Sequence, residues 1–297
     1  EAVIFGCRYF FTQKNIICSL YEQTKGEKMP NWVQNRLTIY GQETEIEKCL
    51  LFCKSEDSDF DFNKIVPMPE TLDITVSRDS VQAAAYVYSL LSEKKQKEIS
   101  GVLKTTTTME AGCFPRVEKT WFEAINDCLK DIDVWNQKIN SWKPGASDIE
   151  CGAETFEEYG RIVLNNILNY GYAGWYTWRC DHWGTKWTAN HVVIDRSSQT
   201  GHGQEPQATV YCQTACSCPA QIVYALSKKY PELKFILAYA DENLGNNCGQ
   251  FGLKNGLDFI GDVRYDYSDW KDNPELKREA ITFACDVWGY DPAEYLE

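Results

Sequence analysis

Residues 208–239 read ATVYCQTACSCPAQIVYALSKKYPELKFILAY, and the order of patterns within them decides the fold. Residues 208–214 alternate apolar and polar side chains, the period of a half-buried strand. Pro219 then opens a segment in which Ile222, Val223, Leu226 and Tyr230 recur at helical spacing. Proline suits a first helical turn, because the N–H it lacks would have no partner there. Residues 233–239 are apolar on both sides, which predicts a central strand. Further on, 249–253 and 258–263 predict a hairpin around Asn255-Gly256, a pair that tolerates positive φ at both turn positions. Residues 274–288 predict a closing helix, begun by Pro274 and packed through Leu276, Ala280, Phe283, Val287 and Trp288. Strand, helix, strand, strand in that order predicts an α+β fold with helices on one face of a mostly antiparallel sheet.

The first half of the chain carries the same signals, then departs from them. Residues 33–40 alternate, with Val33, Leu37 and Ile39 on one side and Gln34, Arg36 and Thr38 on the other, and Gly41 closes this strand. Ile46, Cys49, Leu50 and Cys53 predict a helix, whose early Glu43, Glu45 and Glu47 suit the positive end of its dipole. Residues 60–66 read as a second extended segment, stopped by Pro67-Met68-Pro69. Residues 70–172 are mainly helical in pattern: an alanine-rich run at 81–91, a stripe through Ile125, Leu129, Ile132 and Trp135, and another through Tyr159, Val163 and Ile167. Thr105–Thr108 and Pro144-Gly145-Ala146-Ser147 break these helices, and Gly171 ends the last. A large helical insertion into the sheet is therefore expected, with an N-terminal unit at 29–172 and a C-terminal unit at 173–297.

Residues 1–28 show no clean period and begin with Glu1 rather than methionine. Lys25-Gly26-Glu27-Lys28 before Met29 can be encoded as AAA GGA GAA AAA ATG, a purine-rich ribosome-binding sequence ahead of a start codon. The segment is expected to be a translated leader or a disordered tail.

Composition narrows the function classes. With 43 acidic against 30 basic residues and a net charge of −13, the chain is ill suited to neutralising phosphates, so direct nucleic-acid binding is not expected. No run approaches the roughly 18 apolar residues that span a bilayer, so no membrane role is expected either. Thirteen cysteines without regular spacing read as reduced thiols, most of them small buried hydrophobes, which points to the cytoplasm.

Four ordered blocks, MPNWVQNRLTIYG at 29–41, FDFNKIVPMPE at 60–70, WYTWRCDHWGTKWTAN at 175–190 and LSKKYPELKFILAYADE at 226–242, together resemble the YubB-type ferredoxin-like proteins of plasmids and phages. The resemblance implies ferredoxin-like topology in both units, without an iron–sulfur cluster, and an origin in mobile genetic elements. It implies no activity. The chain departs from the pattern at 214–219, where Cys216 and Cys218 stand in place of the expected Trp and Pro.

The candidate site is the segment 174–187, which holds Trp175, Trp178, Trp183 and Trp187. Large rings fill cores more often than they line exposed sites, so a structural clamp is the first reading. The second is a ligand platform built from Tyr176, Trp178, Arg179, His182, Trp183, Lys186 and Trp187. Asp181 and His182, adjacent in a segment read as extended, point to opposite faces and do not serve each other as a catalytic pair. Asp241-Glu242 reads as a solvated strand end, and His202 lies in a glycine-flanked loop. Cys212, Cys216, Cys218, Cys180 and His182 lack the paired spacing of a zinc site, so neither metal nor other cofactor is expected. No nucleophile elbow, phosphate-cradling loop or dinucleotide fingerprint is present, so no catalytic residue is assigned and the balance leans against an enzyme. The expected function is that of a mobile-element accessory protein that binds another protein. The alternatives are an enzyme acting on a nucleotide-like or other small substrate at the Trp-rich segment, and a single-stranded nucleic-acid binder.

Overall fold

The computed structural model describes residues 31–108, 119–131, 139, 142, 152–196 and 205–296. The expected leader at 1–28, the turn at 144–147, Ile132, Trp135 and His202 lie outside them. The backbone clusters into two compact units, one comprising the chain up to Pro67 together with Cys180 onward, the other Met68–Arg179.

The first unit begins with β1 (Trp32–Tyr40) and α1 (Glu43–Cys53), both where the sequence pattern places them. It continues with α2 (Phe62–Ile65). That turn of helix replaces the extended segment expected at 60–66. Asp61 takes the cap position, its carboxylate accepting the Asn63 N–H at 2.8 Å, and Phe60 and Phe62 are buried together edge to face. A local side-chain cap outweighs a weak strand pattern over so few residues.

The second unit contains α3 (Arg78–Leu90), α4 (Glu93–Thr105), the short ribbon β2 (Thr107–Thr108) with β3 (Lys119–Thr120), α5 (Trp121–Leu129) and α6 (Phe156–Tyr170). Helices α3 and α6 approach closely because Gly160 has no side chain: a Cβ there would lie 2.2 Å from the Ala83 carbonyl oxygen. Thr155 and Glu158 cap α6 reciprocally, and Gly171, at φ 82°, ends it in the left-handed conformation that glycine adopts without strain. Ala83, Ala84, Val87, Tyr88, Tyr159, Val163 and Ile167 form its core.

Helix α7 spans Trp175–Trp183; its residues to Arg179 are counted with the second unit and those from Cys180 with the first. The rest of the first unit is β4 (Asn190–Asp195), β5 (Gln207–Ala215), α8 (Ala220–Lys229), β6 (Lys234–Asp241), β7 (Cys248–Lys254), β8 (Leu257–Asp258), β9 (Val263–Tyr265), α9 (Tyr267–Trp270) and α10 (Pro274–Trp288). Asn255 and Gly256, at φ 49° and 72°, make the two-residue turn between β7 and β8, as their sequence predicts.

The sheet runs β4-β5-β1-β6-β7-β8, with β9 also on β7, and every pairing is antiparallel. Because β5 and β6 are each antiparallel to β1, they are parallel to one another with β1 between them, and α8 makes the crossover. By the same argument β1 and β4 are parallel with β5 between them, and α1 lies on that connection, into which residues 68–179 are inserted. Two split β-α-β units thus interleave in one sheet. The sequence predicts units at 29–172 and 173–297; in the structure β1 pairs on both sides with strands of the C-terminal part, β5 and β6.

On one face, Val33, Leu37, Ile39, Val210, Phe235 and Leu237 are fully buried, each contributing about 1.5–3 kcal/mol of transfer free energy. The apolar stripes of α1 (Ile46, Cys49, Leu50) and α8 (Ile222, Val223, Leu226) close this face. The other face carries α10, whose Ala280, Ala284 and Val287 pack on Ala238, Ala240 and Cys248. Small residues on β6 admit that helix, a feature that strand periodicity does not reveal. It covers β6 and β7 and reaches β1 through Arg36, and it leaves β4 and β5 uncovered by it.

Candidate functional site

The Trp-rich segment is helical rather than extended, and this changes the geometry of every candidate in it. Trp175, Trp178 and Trp183 fall at i, i+3 and i+8 on one side of the axis, but Arg179 and His182 fall on the same side, so the stripe is not purely apolar and the helix is not read from hydrophobic period. Asp181 and His182, consecutive in α7, are separated by about 100° around the axis and do not share a face.

Tyr176, Trp178 and Arg179 belong to the Met68–Arg179 unit. Trp175 and Tyr176 meet edge to face at 5.5 Å, and the Trp175 Nε1–H donates to Thr75 Oγ1 at 3.3 Å. The Arg179 guanidinium lies 5.1 Å from the Trp175 ring centroid and 3.3 Å from an Asp73 carboxylate oxygen. Burial holds Arg179 below the usual guanidinium range, and Asp73 opposes that shift. Trp178 is buried.

His182, Trp183, Lys186 and Trp187 belong to the sheet-containing unit. Trp183 is 2% exposed, packs on Phe62 with ring centroids 6.0 Å apart, and donates its Nε1–H to the Val66 carbonyl at 2.9 Å. It is a core residue. Trp187 is 39% exposed and tilts against Trp32 at 6.2 Å, with Lys186 Nζ 4.6 Å above its ring. The candidates do not form one set: Tyr176 and Arg179 lie around Trp175 and Asp73, Trp183 lies in the core against Phe62, and Lys186 and Trp187 lie beside Trp32.

The group of Trp32, Lys186 and Trp187 adjoins the open half of the sheet. Trp32, Gln34 and Arg36 alternate onto one face of β1, and the β1–β5 register sets Gln34 opposite Gln213 and Arg36 opposite Tyr211. Gln213 Nε2 donates to Gln34 Oε1 at 3.3 Å. Arg36 reaches Asp286, near the C-terminal end of α10, at 2.7 Å. Tyr211 in turn lies opposite Val193 of the edge strand β4, which is largely exposed. The result is a half-exposed strip of indole rings, carboxamides, a phenol and one ion-paired guanidinium. Gln34 and Arg36 were visible in the sequence as the polar side of β1. Tyr211, Gln213 and Val193 gain their meaning only from register.

Behind the strip, Asp241 ends β6 almost fully buried, where its carboxylate accepts Asn31 Nδ2 at 3.3 Å, the Asn243 N–H at 2.9 Å and Asn247 Nδ2 at 3.2 Å. Burial raises its pKa above the ordinary carboxylate range, partly offset by these donors. The sequence reading of a solvated strand end is thus corrected, because the chain on both sides folds over it: Glu242 N–H donates to the Trp32 carbonyl and Trp288 Nε1–H to the Asp241 carbonyl. Cys212 faces the core, its thiol pushed up to about 12 by burial, while Cys216 lies beyond the strand at φ 67°. Among the described residues no three Cys, His, Asp or Glu side chains group as a metal site.

Interleaved split β-α-β units in the order β4-β5-β1-β6 define a ferredoxin-like α+β protein. Residues 182–276, which hold β4 through α9, match the family model described as the ferredoxin-like domain in Api92-like protein. A crystal structure of the protein api92 from Yersinia pseudotuberculosis is similar at 10% identity over 80% of this chain and 98% of that one, with a TM-score of 0.35. No curated protein matches the chain. No helix among the described residues is long and apolar enough to cross a membrane.

Proposed function

We propose that this chain is a protein-binding module, an accessory protein of the YubB-type ferredoxin-like group carried by plasmids and phages, acting in the cytoplasm of its bacterial host. The reading rests on the strip beside β1. There Trp187 stands exposed next to Trp32, at the end of a sheet face whose guanidinium is neutralised by Asp286. Exposed tryptophan, tyrosine and arginine are the side chains that anchor protein interfaces. A surface with that composition, whose cations are Arg36, paired with Asp286, and the largely buried Lys186, suits a peptide or protein better than a polyanion. Fusing the chain to an affinity tag and capturing partners from a host that carries the parent element tests the reading. One specific partner should remain bound at about 0.5 M salt, where long-range charge attraction is screened, and should be lost with Trp187→Ala and Tyr211→Ala. Capture that survives both substitutions, or that vanishes with salt alone, removes it.

A further inference from the structure

The opposite edge of the sheet presents a second surface, independent of the strip. Along the outer side of β7, Leu257 lies opposite Lys254, Phe259 and Ile260 lie over Gly252, and Val263 lies opposite Gln250. Leu257, Phe259, Ile260 and Val263 are all exposed, at 56%, 42%, 40% and 45%. Single exposed apolar residues are ordinary; four in a row along one edge are not. Gly252 is what allows this arrangement, since a Cβ there would come within 3.0 Å of the Ile260 and Phe259 side chains.

The row ends at a cleft of about 780 Å³ between β9 and α10, lined by Tyr265, Glu275, Arg278, Glu279, Thr282 and Phe283. Tyr265 donates to Glu279 at 2.6 Å, which fixes that carboxylate at the wall. The stretch from 254 to 279 carries seven carboxylates, Asp258, Asp262, Asp266, Asp269, Asp272, Glu275 and Glu279, against five cations, Lys254, Arg264, Lys271, Lys277 and Arg278, so the apolar row lies beside a surface with an acidic excess of two.

Strand addition does not fit this edge. The ladder on β7 is made of two residues of β8 and three of β9 with the turn at 259–262 between them, so no continuous row of backbone groups is offered. A partner here docks through side chains. We infer that the β8–β9 edge and the adjoining α10 cleft form a docking surface for a basic amphipathic helix of a partner protein, its apolar face on Leu257, Phe259, Ile260 and Val263 and a lysine or arginine beside Glu275 and Glu279.

The test titrates the full chain against two labelled synthetic helices of about 18 residues, long enough to hold helical structure, one with leucine and lysine faces and one with leucine and glutamate faces, followed by fluorescence anisotropy. The leucine–lysine helix binds, the leucine–glutamate helix does not, and Leu257→Ser with Val263→Ser, or Glu275→Lys alone, weakens binding about tenfold, a loss of about 1.4 kcal/mol. Glu93→Lys with Glu98→Lys, on α4, removes two acidic groups elsewhere and leaves binding unchanged. If the α4 variant loses as much as Glu275→Lys, the attraction is merely that of an acidic protein and the site is wrong. Equal binding of both helices also overturns it. So does a dimer by light scattering that Val263→Ser dissociates, since the occupant is then a second copy. Circular dichroism melts of each variant separate lost binding from lost folding.

Discussion

Arg36 stands directly across the β1–β5 ladder from Tyr211, and its guanidinium reaches toward the covered half of the sheet to Asp286 at 2.7 Å. The pair joins the open sheet face to the C-terminal end of α10. The side chains are 29% and 63% exposed, so solvent screens their attraction and the side-chain entropy of holding them opposes it. Asp286→Asn is expected to lower unfolding free energy by less than about 1 kcal/mol in urea titration. A loss above about 2 kcal/mol would show that the contact holds α10 on the sheet.

The two tryptophans that follow one another in the Trp-rich segment have opposite expected costs. Trp183→Ala removes a ring 2% exposed, its contact with Phe62 and a hydrogen bond to the Val66 carbonyl, and should cost about 3–5 kcal/mol. Trp187→Ala removes a ring 39% exposed and should cost about 1 kcal/mol or less while weakening partner capture. Chemical denaturation of both variants checks the ranking; equal costs would contradict the separation of a core ring from a surface one.

The contrast also shows which parts of the molecule were legible in the sequence. Strands β1, β5 and β6 and helices α8 and α10 follow from period, because each buries one face or both against a single core. Helix α7 does not, since Arg179 and His182 fall on the same side of the axis as Trp175, Trp178 and Trp183 and break the apolar stripe that marks a helix. The α2 turn depends on the Asp61 cap, and short segments are decided by such local bonds. The strip at Arg36 and Tyr211 depends on pairing between residues 175 positions apart, as does the position of β1 inside the sheet. Burial of Asp241 needed the loops on either side of it, which no strand pattern specifies.

Asp241 should leave a signature in the pH dependence of stability. Its folded pKa is raised by burial above the unfolded value of about 3.9, so the folded state holds this proton more tightly than the unfolded chain. The sign follows: its contribution is fully present below the unfolded pKa and is lost as pH rises through the folded pKa. Asp241→Asn removes that dependence. The difference in unfolding free energy, wild type minus variant, should therefore fall as pH rises from about 3.5 toward neutrality. Carboxylates held low by lysines, such as Asp127 at about 2, act in the opposite sense but are common to both proteins and cancel in the difference. A flat difference profile means that Asp241 is not buried as described.

Gly160 tests the packing of the Met68–Arg179 unit. Adding a methyl group places a Cβ 2.2 Å from the Ala83 carbonyl oxygen and 2.8 Å from a Val87 methyl, and backbone cannot yield as a flexible side chain can. On an exposed helix Gly→Ala stabilises by up to about 1 kcal/mol; between α3 and α6 it should instead destabilise by about 1–3 kcal/mol. Hydrogen exchange distinguishes this from a general loss of stability. Protection should fall in Arg78–Leu90 and Phe156–Tyr170 while Trp32–Tyr40 and Lys234–Asp241, which lie in the other compact unit, keep theirs. A gain in protection at α3 and α6 would mean that the helices are farther apart than the structure places them, and that Gly160 is not there for close approach.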